Sequence, residues 1–349
     1  MILNLALLAL SVILLTAGAE ALVRGAVVVA TRLGVSSFFI GLTIVGFGTS
    51  TPELAAGVSA ALNNKPDINI GNVVGSNIFN VAAILGIASL ITPTPVKTHL
   101  VKAEVGAVIA VSLLFCIFAF TGQVVSRWEG AVLLAILLVY IVRGYFAGRR
   151  AGADAEQVVE TVAQSASDER PRRAFMRSLW FNVALILAGL GVLALASDLL
   201  VNSASAIARA LGVSELAIAL TIVAGGTSMP EMATSVLAAI RKQSDIAVGN
   251  ILGSNIFNIC GILGVTSLIA PPAVSAQILY LDAPVMVGLA VALLPILFSG
   301  SRISRGEGLA LLTVAVVYIT TLFTLAPRWF PAPASAPAAL GAPADLPLG

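Results

Sequence analysis

Two acidic residues, Glu53 and Glu231, lie inside long apolar stretches of this sequence. A carboxylate at the centre of a bilayer costs about 2.5–3.5 kcal/mol on insertion scales. No lysine or arginine lies in those stretches to neutralise either charge. The remaining partners are a bound cation or a proton, so the sequence predicts a buried cation site that contains both carboxylates.

Residues with side-chain oxygens surround both carboxylates. Each glutamate ends a segment that carries a Thr-Ser pair and a proline, and these segments are Gly46–Glu53 and Ala224–Glu231. Each proline removes a backbone N–H and disturbs the preceding turn, which frees carbonyl oxygens. The predicted hydroxyl ligands are Thr49, Ser50, Thr227 and Ser228. The next apolar segment of each half adds Ser76, Asn80, Ser254 and Asn258, spaced four apart on one helix face.

Oxygen ligands without histidine or cysteine favour Na⁺ or Ca²⁺ over zinc or copper. The alternative for each glutamate is a protonated, hydrogen-bonded acid. For any single serine or threonine, bonding back to its own helix is an equal alternative. A serine nucleophile would lack a base, because the one histidine, His99, lies in a polar connection. We therefore expect no enzyme.

Other polar and small residues near these ligands have predicted structural roles. Asn77 and Asn255 are expected to hydrogen-bond between helices rather than to bind ions. Glycines expected to allow close helix packing are Gly71, Gly75, Gly249 and Gly253. Asp67 and Asp245 are expected to be N-caps, and Glu20 and Asp198 are expected to lie near helix ends at the membrane interface.

The composition places the chain in a membrane. Of 349 residues, 58% are hydrophobic and 10% are charged, whereas about 25% are charged in soluble domains. The net charge of +2 gives no reason to expect nucleic acid, and no obligatory protein partner is evident. The two cysteines offer neither a disulfide framework nor a metal-binding spacing.

Ten apolar segments are long enough to cross a bilayer as helices, which need roughly 20 residues. They are 2–22, 38–62, 68–91, 104–121, 129–147, 179–201, 214–240, 246–270, 283–299 and 308–325. Residues 148–178 are predicted to form a polar cytoplasmic linker, and residues 327–349 a Pro/Ala-rich disordered tail.

An internal repeat organises these segments. With an offset of 178 residues, 33–86 aligns with 211–264 without a gap, and 31 of 54 positions are identical. The predicted fold is therefore an all-α membrane protein with ten transmembrane helices, arranged as two five-helix repeats at 1–147 and 179–326.

An odd number of helices per repeat requires the two halves to cross the membrane in opposite directions. With the N-terminus outside, 15 of the 19 basic residues fall in inside loops or the linker, in agreement with the positive-inside rule. We expect an inner-membrane protein with both termini outside and the linker in the cytoplasm. Inverted repeats around a midplane site are a recurrent plan of secondary transporters.

The repeated motifs resemble the paired α-repeats of sodium/calcium exchangers in the cation/calcium antiporter superfamily. Gly48-Thr-Ser-Thr-Pro-Glu53 with Gly71-Asn-Val-Val-Gly-Ser-Asn-Ile-Phe-Asn80 carries the resemblance in the first half. In the second half the same motifs are Gly226-Thr-Ser-Met-Pro-Glu231 and Gly249-Asn-Ile-Leu-Gly-Ser-Asn-Ile-Phe-Asn258. The resemblance covers about residues 1–325 and implies a ten-helix fold.

The resemblance also implies ligand roles. Glu53 and Glu231 would be shared between a central calcium site and flanking sodium sites, and the carbonyls of Gly46 and Ala224 would complete the sodium sites. Characterised prokaryotic relatives carry an aspartate where Asn258 stands, so this site has two formal charges rather than three. The Thr-Ser pairs favour sodium, because proton-coupled relatives tend to have an asparagine there.

The sequence therefore predicts a secondary antiporter that exchanges Na⁺ for Ca²⁺ by alternating access. The transported ions are the predicted ligands, and the sequence predicts no cofactor. The protein is expected to be embedded in the lipid bilayer. An antiporter of the same fold that uses protons or another divalent ion is the first alternative. A cation channel is the alternative from another class.

Overall fold

The computed structural model describes residues 1–95, 98–163, 178–212, 224–298 and 302–330. Helices make up nearly all of this part of the chain. In the first half they are α1 Ile2–Leu33, α2 Ser37–Thr49, α3 Thr51–Leu62, α4 Pro66–Ile91, α5 Thr98–Gly122 and α6 Arg127–Ala163. In the second half they are α7 Leu179–Ala210, α8 Ala224–Thr227, α9 Met229–Ile240, α10 Ser244–Ile269, α11 Ala283–Phe298, α12 Arg305–Thr324 and α13 Ala326–Trp329.

Several helices contain or follow a π-helical turn, in which one extra residue widens the helix. These turns are Gly41–Val45 in α2, Asn80–Leu85 in α4, Phe257–Leu263 in α10 and Ile278–Asp282 before α11. Two of them contain the predicted ligands Asn80 and Asn258. The turns in α4 and α10 occupy equivalent places in the two repeats.

The structure confirms an all-helical, multi-pass membrane protein. Within the described residues, eight helices are long and apolar enough to span a membrane. The pair α2 and α3, which is bent by 44° where the helix breaks at Ser50, is a ninth candidate if it is counted as one span. The predicted span 214–240 is described only from residue 224, so the count of ten stays a prediction.

Three helices extend beyond their predicted ends. Helix α7 continues to Ala210 rather than ending near residue 201, so Asp198 lies inside the helix rather than near its end. Helix α1 continues to Leu33 and stops where Gly34 adopts the left-handed conformation (φ 62°). Glu20 is therefore inside the helix rather than near its end, and it accepts hydrogen bonds from Arg24 and Arg241. Helix α6 has no interrupting proline and continues to Ala163, so the first part of the predicted linker is helical. The rest of the linker up to 177, and residues 331–349 of the predicted tail, lie outside the described residues.

The expectation that two aspartates cap helices is wrong. The N-cap of α4 is Lys65, because Pro66 begins the helix, and the N-cap of α10 is Gln243. Asp67 and Asp245 lie two residues after these N-caps, within the first turn of each helix. An acidic side chain in the first turn still interacts favourably with the partial positive charge of the helix N-terminus.

Helices α1 and α7 pack along each other through small residues. A Cβ added at Gly18 would lie 3.1 Å from the Gly189 carbonyl oxygen, and one at Gly25 would lie 2.8 Å from that of Asn182. Gly25 is later in α1 than Gly18, but its partner Asn182 is earlier in α7 than Gly189. The two helices, which begin the two repeats, therefore run antiparallel.

The centre of the protein is formed by α4 and α10. In α10, 94% of the membrane-spanning window is buried, and in α4 72%. Glycines bring α2 against α10: a Cβ added at Gly249 would lie 2.6 Å from the Phe38 carbonyl oxygen, and one at Gly253 would lie 1.9 Å from that of Leu42. The packing role predicted for these two glycines is confirmed.

The packing role predicted for Gly71 and Gly75 stays a prediction. Among the described residues, nothing lies within 4 Å of a Cβ added at either position. By the repeat, their partners would be residues 216–220, which lie outside the described part of the chain.

Each central helix is also held by a helix of the other half. Gly130 of α6 meets Gly264 of α10, and Gly308 of α12 meets Gly86 of α4. At the same two seams, the Nε of Arg127 donates to the Leu268 carbonyl (3.2 Å) and the Nε of Arg305 donates to the Leu90 carbonyl (3.1 Å). Basic groups at these helix C-termini satisfy free carbonyls and the helix dipole.

Outside the spans, two short strands pair in an antiparallel manner. Strand β1 is Thr94–Pro95, strand β2 is Arg302–Ile303, and Thr94 pairs with Ile303. The pairing joins the connection after α4 to the residues before α12. It therefore ties the two halves together at one end of the helices.

Candidate functional site

Both predicted carboxylates lie at a helix break in the interior. Glu53 is in the first turn of α3 and Glu231 in the first turn of α9, and each is 1% exposed. Each helix starts after a serine with non-helical backbone and carries a proline among its first two residues. Proline suits this position because the first N–H groups of a helix have no partner within it. The exposed N–H groups favour a negative charge beside them.

Serines of each half hydrogen-bond to the glutamate of the other half. The Ser50 hydroxyl donates to Glu231 Oε1 at 2.9 Å, and the Ser228 hydroxyl donates to Glu53 Oε1 at 3.1 Å. These two bonds are equivalent under the repeat. They place the two carboxylates in one cluster between the halves, as the sequence predicts.

The second oxygen of each carboxylate has no hydrogen-bond partner among the described residues, although it is buried. The same is true of Asn80 Oδ1 and Asn258 Oδ1. Leaving buried acceptors unpaired is costly, and native interiors contain few of them. Four such oxygens, related in pairs by the repeat, indicate a place where a cation would supply the missing interactions.

The orientation of Asn80 and Asn258 follows from a network of four asparagines. The Asn80 amide donates to Asn255 Oδ1 (3.0 Å), and the Asn258 amide donates to Asn77 Oδ1 (3.0 Å). The Asn77 amide also donates to the Asn255 carbonyl (3.2 Å). The interhelical role predicted for Asn77 and Asn255 is confirmed. Because these bonds use the amide nitrogens of Asn80 and Asn258, their oxygens remain as free acceptors.

Two asparagines that the sequence reasoning missed support the glutamates. The Asn72 amide donates to the Glu53 carbonyl (3.1 Å), and the Asn250 amide donates to the Glu231 carbonyl (3.3 Å). Asn250 also accepts from the Thr49 hydroxyl (3.1 Å). Each lies four residues before a predicted serine ligand and is identical in both repeats. That spacing extends the polar helix face by one turn and could have identified them.

The remaining predicted ligands of the first half are brought to the same cluster. The Gly46 carbonyl accepts from Ser254 (3.1 Å) and Thr49 (3.3 Å), and the Ser228 hydroxyl lies 3.4 Å from the Ser76 hydroxyl. The carbonyl predicted as a sodium ligand therefore already has two hydroxyl donors.

The second-half counterparts of Gly46 and Thr49 are less fully described. Ala224 and Thr227 begin and end the one-turn helix α8, immediately before the break at Ser228. Their roles as ligands stay predictions.

The cluster is chemically uniform, since it consists of carboxylate, amide, hydroxyl and carbonyl oxygens. Within the described residues, no group of three or more His, Cys, Asp or Glu side chains could hold a metal ion. Such an oxygen set could hold Na⁺ or Ca²⁺, whereas Zn²⁺ and Cu⁺ prefer nitrogen and sulfur. The fold and the cluster together define a multi-pass membrane protein with a buried, anionic oxygen site.

The chain belongs to the sodium/calcium exchanger family. The family model for sodium/calcium exchanger proteins matches residues 3–146 and 181–324. The two matched segments are offset by 178 residues at both ends, which is the offset of the repeat.

Relatives cover almost the whole chain. It is 36% identical to the putative antiporter CaxA of Alkalimonas amylolytica, over 89% of this chain and 96% of that one. It is 34% identical to the inner membrane protein YrbG of Escherichia coli K12 (94% and 99%). It is 31% identical to the sodium/calcium exchanger MaX1 of Methanosarcina acetivorans (92% and 98%). A solved structure of the sodium-calcium exchanger NCX_Mj superposes with a TM-score of 0.77 at 29% identity, covering 92% of this chain and 98% of that one.

Proposed function

We propose that this protein is a secondary antiporter that exchanges Na⁺ for Ca²⁺ at the cluster around Glu53 and Glu231. The observation that carries the proposal is the set of four buried, unpartnered oxygens on these glutamates and on Asn80 and Asn258. Membership of the family and the name of the relative MaX1 support the choice of ions. The names of the relatives CaxA and MaX1 describe an antiporter and an exchanger, and we propose no enzymatic activity.

The site suits exchange because both ions use the same carboxylates. Ca²⁺ and Na⁺ have similar preferences for oxygen ligands, so each displaces the other from overlapping positions. With no cation present, two buried negative charges would remain unpaired, which disfavours movement of the empty site through the membrane. The two ions therefore take turns, and the gradient of one drives transport of the other.

The proposed topology is ten helices in two inverted repeats, with both termini outside and residues 148–178 in the cytoplasm. The antiparallel packing of α1 against α7 supports inversion, and the distribution of basic residues supports the orientation. Repeat-related helices would then open the site to one side of the membrane at a time. The relative YrbG is named as an inner membrane protein, and we propose the same location here.

The charge of the cluster bears on the coupling ratio. Two carboxylates neutralise one Ca²⁺ or two Na⁺, whereas a third Na⁺ would give the loaded site a net positive charge. Recording the current during exchange measures the ratio, because two Na⁺ per Ca²⁺ moves no net charge and three Na⁺ moves one.

The deciding experiment is calcium uptake into sodium-loaded proteoliposomes containing the purified protein. We expect uptake of radioactive Ca²⁺ that requires the outward Na⁺ gradient and stops when an ionophore for Na⁺ dissipates that gradient. Protein-free liposomes with the same gradient are the control. Absence of sodium-dependent calcium flux would overturn the choice of Na⁺ as coupling ion.

The second candidate is an antiporter of the same fold that is driven by protons or moves another divalent ion. This candidate is considered because Asn80 and Asn258 contribute uncharged amides, so that among the described residues the acidic groups of the cluster are Glu53 and Glu231. Calcium uptake driven by a pH gradient in sodium-free medium would identify it. A channel would instead give Ca²⁺ flux without any counter-ion.

A further inference from the structure

Two carboxyl–tyrosine pairs, each with one buried and one half-buried member, lie outside the oxygen cluster. The Tyr140 hydroxyl donates to Glu104 Oε2 at 2.6 Å, and the Tyr318 hydroxyl donates to Asp282 Oδ1 at 2.9 Å. Both members of the second pair stand 178 residues after those of the first, so the pairs are equivalent under the repeat. The alignment preserves the chemistry of the pair even though glutamate becomes aspartate.

Each pair joins two neighbouring helices of its own half. Glu104 is on α5 and Tyr140 on α6, while Asp282 ends the π turn before α11 and Tyr318 is on α12. Tyr140 is 8% exposed and Asp282 is 3% exposed. A carboxyl group at this depth is costly, and an interhelical hydrogen bond to a phenol offsets part of that cost.

The packing register places each tyrosine level with an asparagine of the other half. Gly130 of α6 contacts Gly264 of α10, and Leu137 of α6 contacts Gly261. Residues later in α6 therefore contact residues earlier in α10. A Cβ added at Gly261 would lie 3.3 Å from Leu137 Cδ2. One turn further along α6, the same register places Tyr140 beside the turn that carries Asn258.

The second pair has the same relation to the first half. Gly308 and Leu312 of α12 contact Gly86 of α4, and a Cβ added at Gly86 would lie 3.1 Å from the Leu312 backbone nitrogen. Tyr318 lies about two turns after Leu312 on α12, and Asn80 lies about two turns before Gly86 on α4. The same register therefore places Tyr318 at the level of Asn80. Each tyrosine is thus level with the π turn that carries the asparagine of the other half.

Both asparagines belong to π-helical turns. Asn80 begins the turn Asn80–Leu85, and Asn258 is the second residue of Phe257–Leu263. A π turn interrupts the regular hydrogen bonding of an α-helix, and such turns occur frequently at functional sites. The positions of these asparagines therefore depend on what packs against the turn.

We propose that Tyr140, held by Glu104, is a positioning residue for Asn258, and that Tyr318, held by Asp282, is a positioning residue for Asn80. Each tyrosine sets the place of one amide oxygen in the cluster without touching an ion. The proposal rests on the proposed function, because it gives Asn80 and Asn258 the role of ligands. It adds two reciprocal supports that the ligand motifs do not contain.

Double-mutant cycles on Ca²⁺ affinity test this proposal in the purified full-length protein. Tyr140→Phe and Tyr318→Phe are each combined with Asn258→Ala and with Asn80→Ala, and affinity is measured by isothermal titration calorimetry. We expect Tyr140→Phe to weaken Ca²⁺ binding about fivefold alone and with Asn80→Ala, but less than about twofold with Asn258→Ala. Tyr318→Phe should show the opposite dependence.

Controls separate positioning from general damage. Tyr280→Phe, at a tyrosine that is 64% exposed, should leave Ca²⁺ affinity unchanged. Glu104→Gln keeps an acceptor for the Tyr140 phenol and should retain most of the Ca²⁺ affinity. This variant also provides a test of the pair if Tyr140→Phe does not fold. Equal losses in both asparagine backgrounds, or no loss, would overturn the proposal.

The outcome is independent of the test of coupling. If Ca²⁺ binds and the cycles behave as expected but Na⁺ drives no flux, the proposed exchange fails and the positioning role stands. If Na⁺ drives Ca²⁺ flux and the effects are additive, only the positioning role fails.

Discussion

The two halves of the protein agree closely at the oxygen cluster and differ around it. The hydrogen bonds from Ser50 to Glu231 and from Ser228 to Glu53 are nearly the same length. One helical turn after the glutamates, the first half has Gly57 and the second has Ser235, whose hydroxyl accepts from Asn250. The chemistry of the cluster is thus duplicated, while its support is built differently on each side.

A second contrast concerns buried polar groups beside the cluster. Asn69 of α4 is fully buried and both its amide atoms lack a partner among the described residues, whereas its repeat equivalent is Ala247. Asn69 Oδ1 would lie 3.3 Å from a Cβ added at Gly57, so the glycine makes room for this side chain. In the proposed inverted arrangement, identical halves would give the inward-facing and the outward-facing state equal energy. Differences of this kind remove that equality.

The strongest test of the duplicated cluster is the loss of one carboxylate charge. We expect Glu53→Gln and Glu231→Gln each to reduce Ca²⁺ affinity by at least about 100-fold, because removing one partner of a buried charge interaction costs about 3–5 kcal/mol. Calorimetric titration of the purified variants measures the effect. Glu20→Gln, a half-buried acid away from the cluster, is the matched control.

Equal losses at the two positions would support a shared site, as the crossed serine bonds require. Full sodium-driven flux in either variant would rule out the cluster as the ion site. A large loss at only one position would show that the halves differ in chemistry as well as in support.

The second test concerns how closely each central helix is packed. We expect Gly253→Ala to destabilise the protein by about 1–3 kcal/mol, because its Cβ would meet the Leu42 backbone oxygen at 1.9 Å and backbone cannot move aside easily. Gly75→Ala, the repeat-equivalent change, tests the same packing on α4, where the partners expected from the repeat, residues 216–220, lie outside the described residues. Thermal unfolding of both variants in the same detergent provides the measurement.

If Gly75→Ala were as damaging as Gly253→Ala, the two central helices would be packed alike. The contrast between α4 and α10 would then disappear for this feature. Gly71→Ala and Gly249→Ala provide a second matched pair for the same comparison.

Much of the oxygen cluster can be predicted from the sequence, because each of its motifs occurs in both repeats. The carboxylates in apolar segments, the Thr-Ser-Pro pattern and the four-residue spacing on α4 and α10 together predict the cluster. The sequence could not show that Asn77 and Asn255 turn the amides of Asn80 and Asn258, because this depends on contacts between distant segments. The π turns were equally hidden, since no residue type specifies them.

Helix ends were predicted less well than helix existence. The span starting at residue 2 was expected to stop near 22, yet α1 continues to Leu33 and ends only where Gly34 adopts the left-handed conformation. Hydropathy detects where a helix leaves the apolar layer, whereas the backbone continues until a C-cap such as this one ends it. Misplacing that end also misplaced Glu20.

The third test adds a charge at the position where the two asparagines are equivalent. We expect Asn258→Asp and Asn80→Asp each to change Ca²⁺ affinity by about tenfold, since ligand charge is a main determinant of calcium affinity. Binding should also become weaker at acidic pH than in the parent protein, because the added carboxyl must lose its proton to bind a cation. Affinity and the Hill slope for Na⁺, measured across pH, report both effects.

An unchanged Hill slope and pH profile for Asn258→Asp would place this residue outside the ion sites. A response at Asn258 without one at Asn80 would show that the cluster itself is asymmetric. Asn63→Asp, on an exposed residue after α3, adds the same charge away from the cluster and should change neither quantity.

The smallest expected effect belongs to an ion pair between the halves whose repeat-equivalent residues cannot form one. Glu20 of α1 accepts from Arg241, which follows α9, with Nη2 at 2.9 Å, whereas the equivalent residues are Asp198 and Asn63. Because the Arg241 side chain is 54% exposed, Arg241→Gln should cost less than about 1 kcal/mol in thermal unfolding. The loss should shrink in high salt, which screens exposed charges. Lys242→Gln removes the same charge one residue later and should leave the unfolding temperature unchanged. A loss of stability in Arg241→Gln that does not depend on salt would instead assign the contact to packing of the aliphatic part of the arginine side chain.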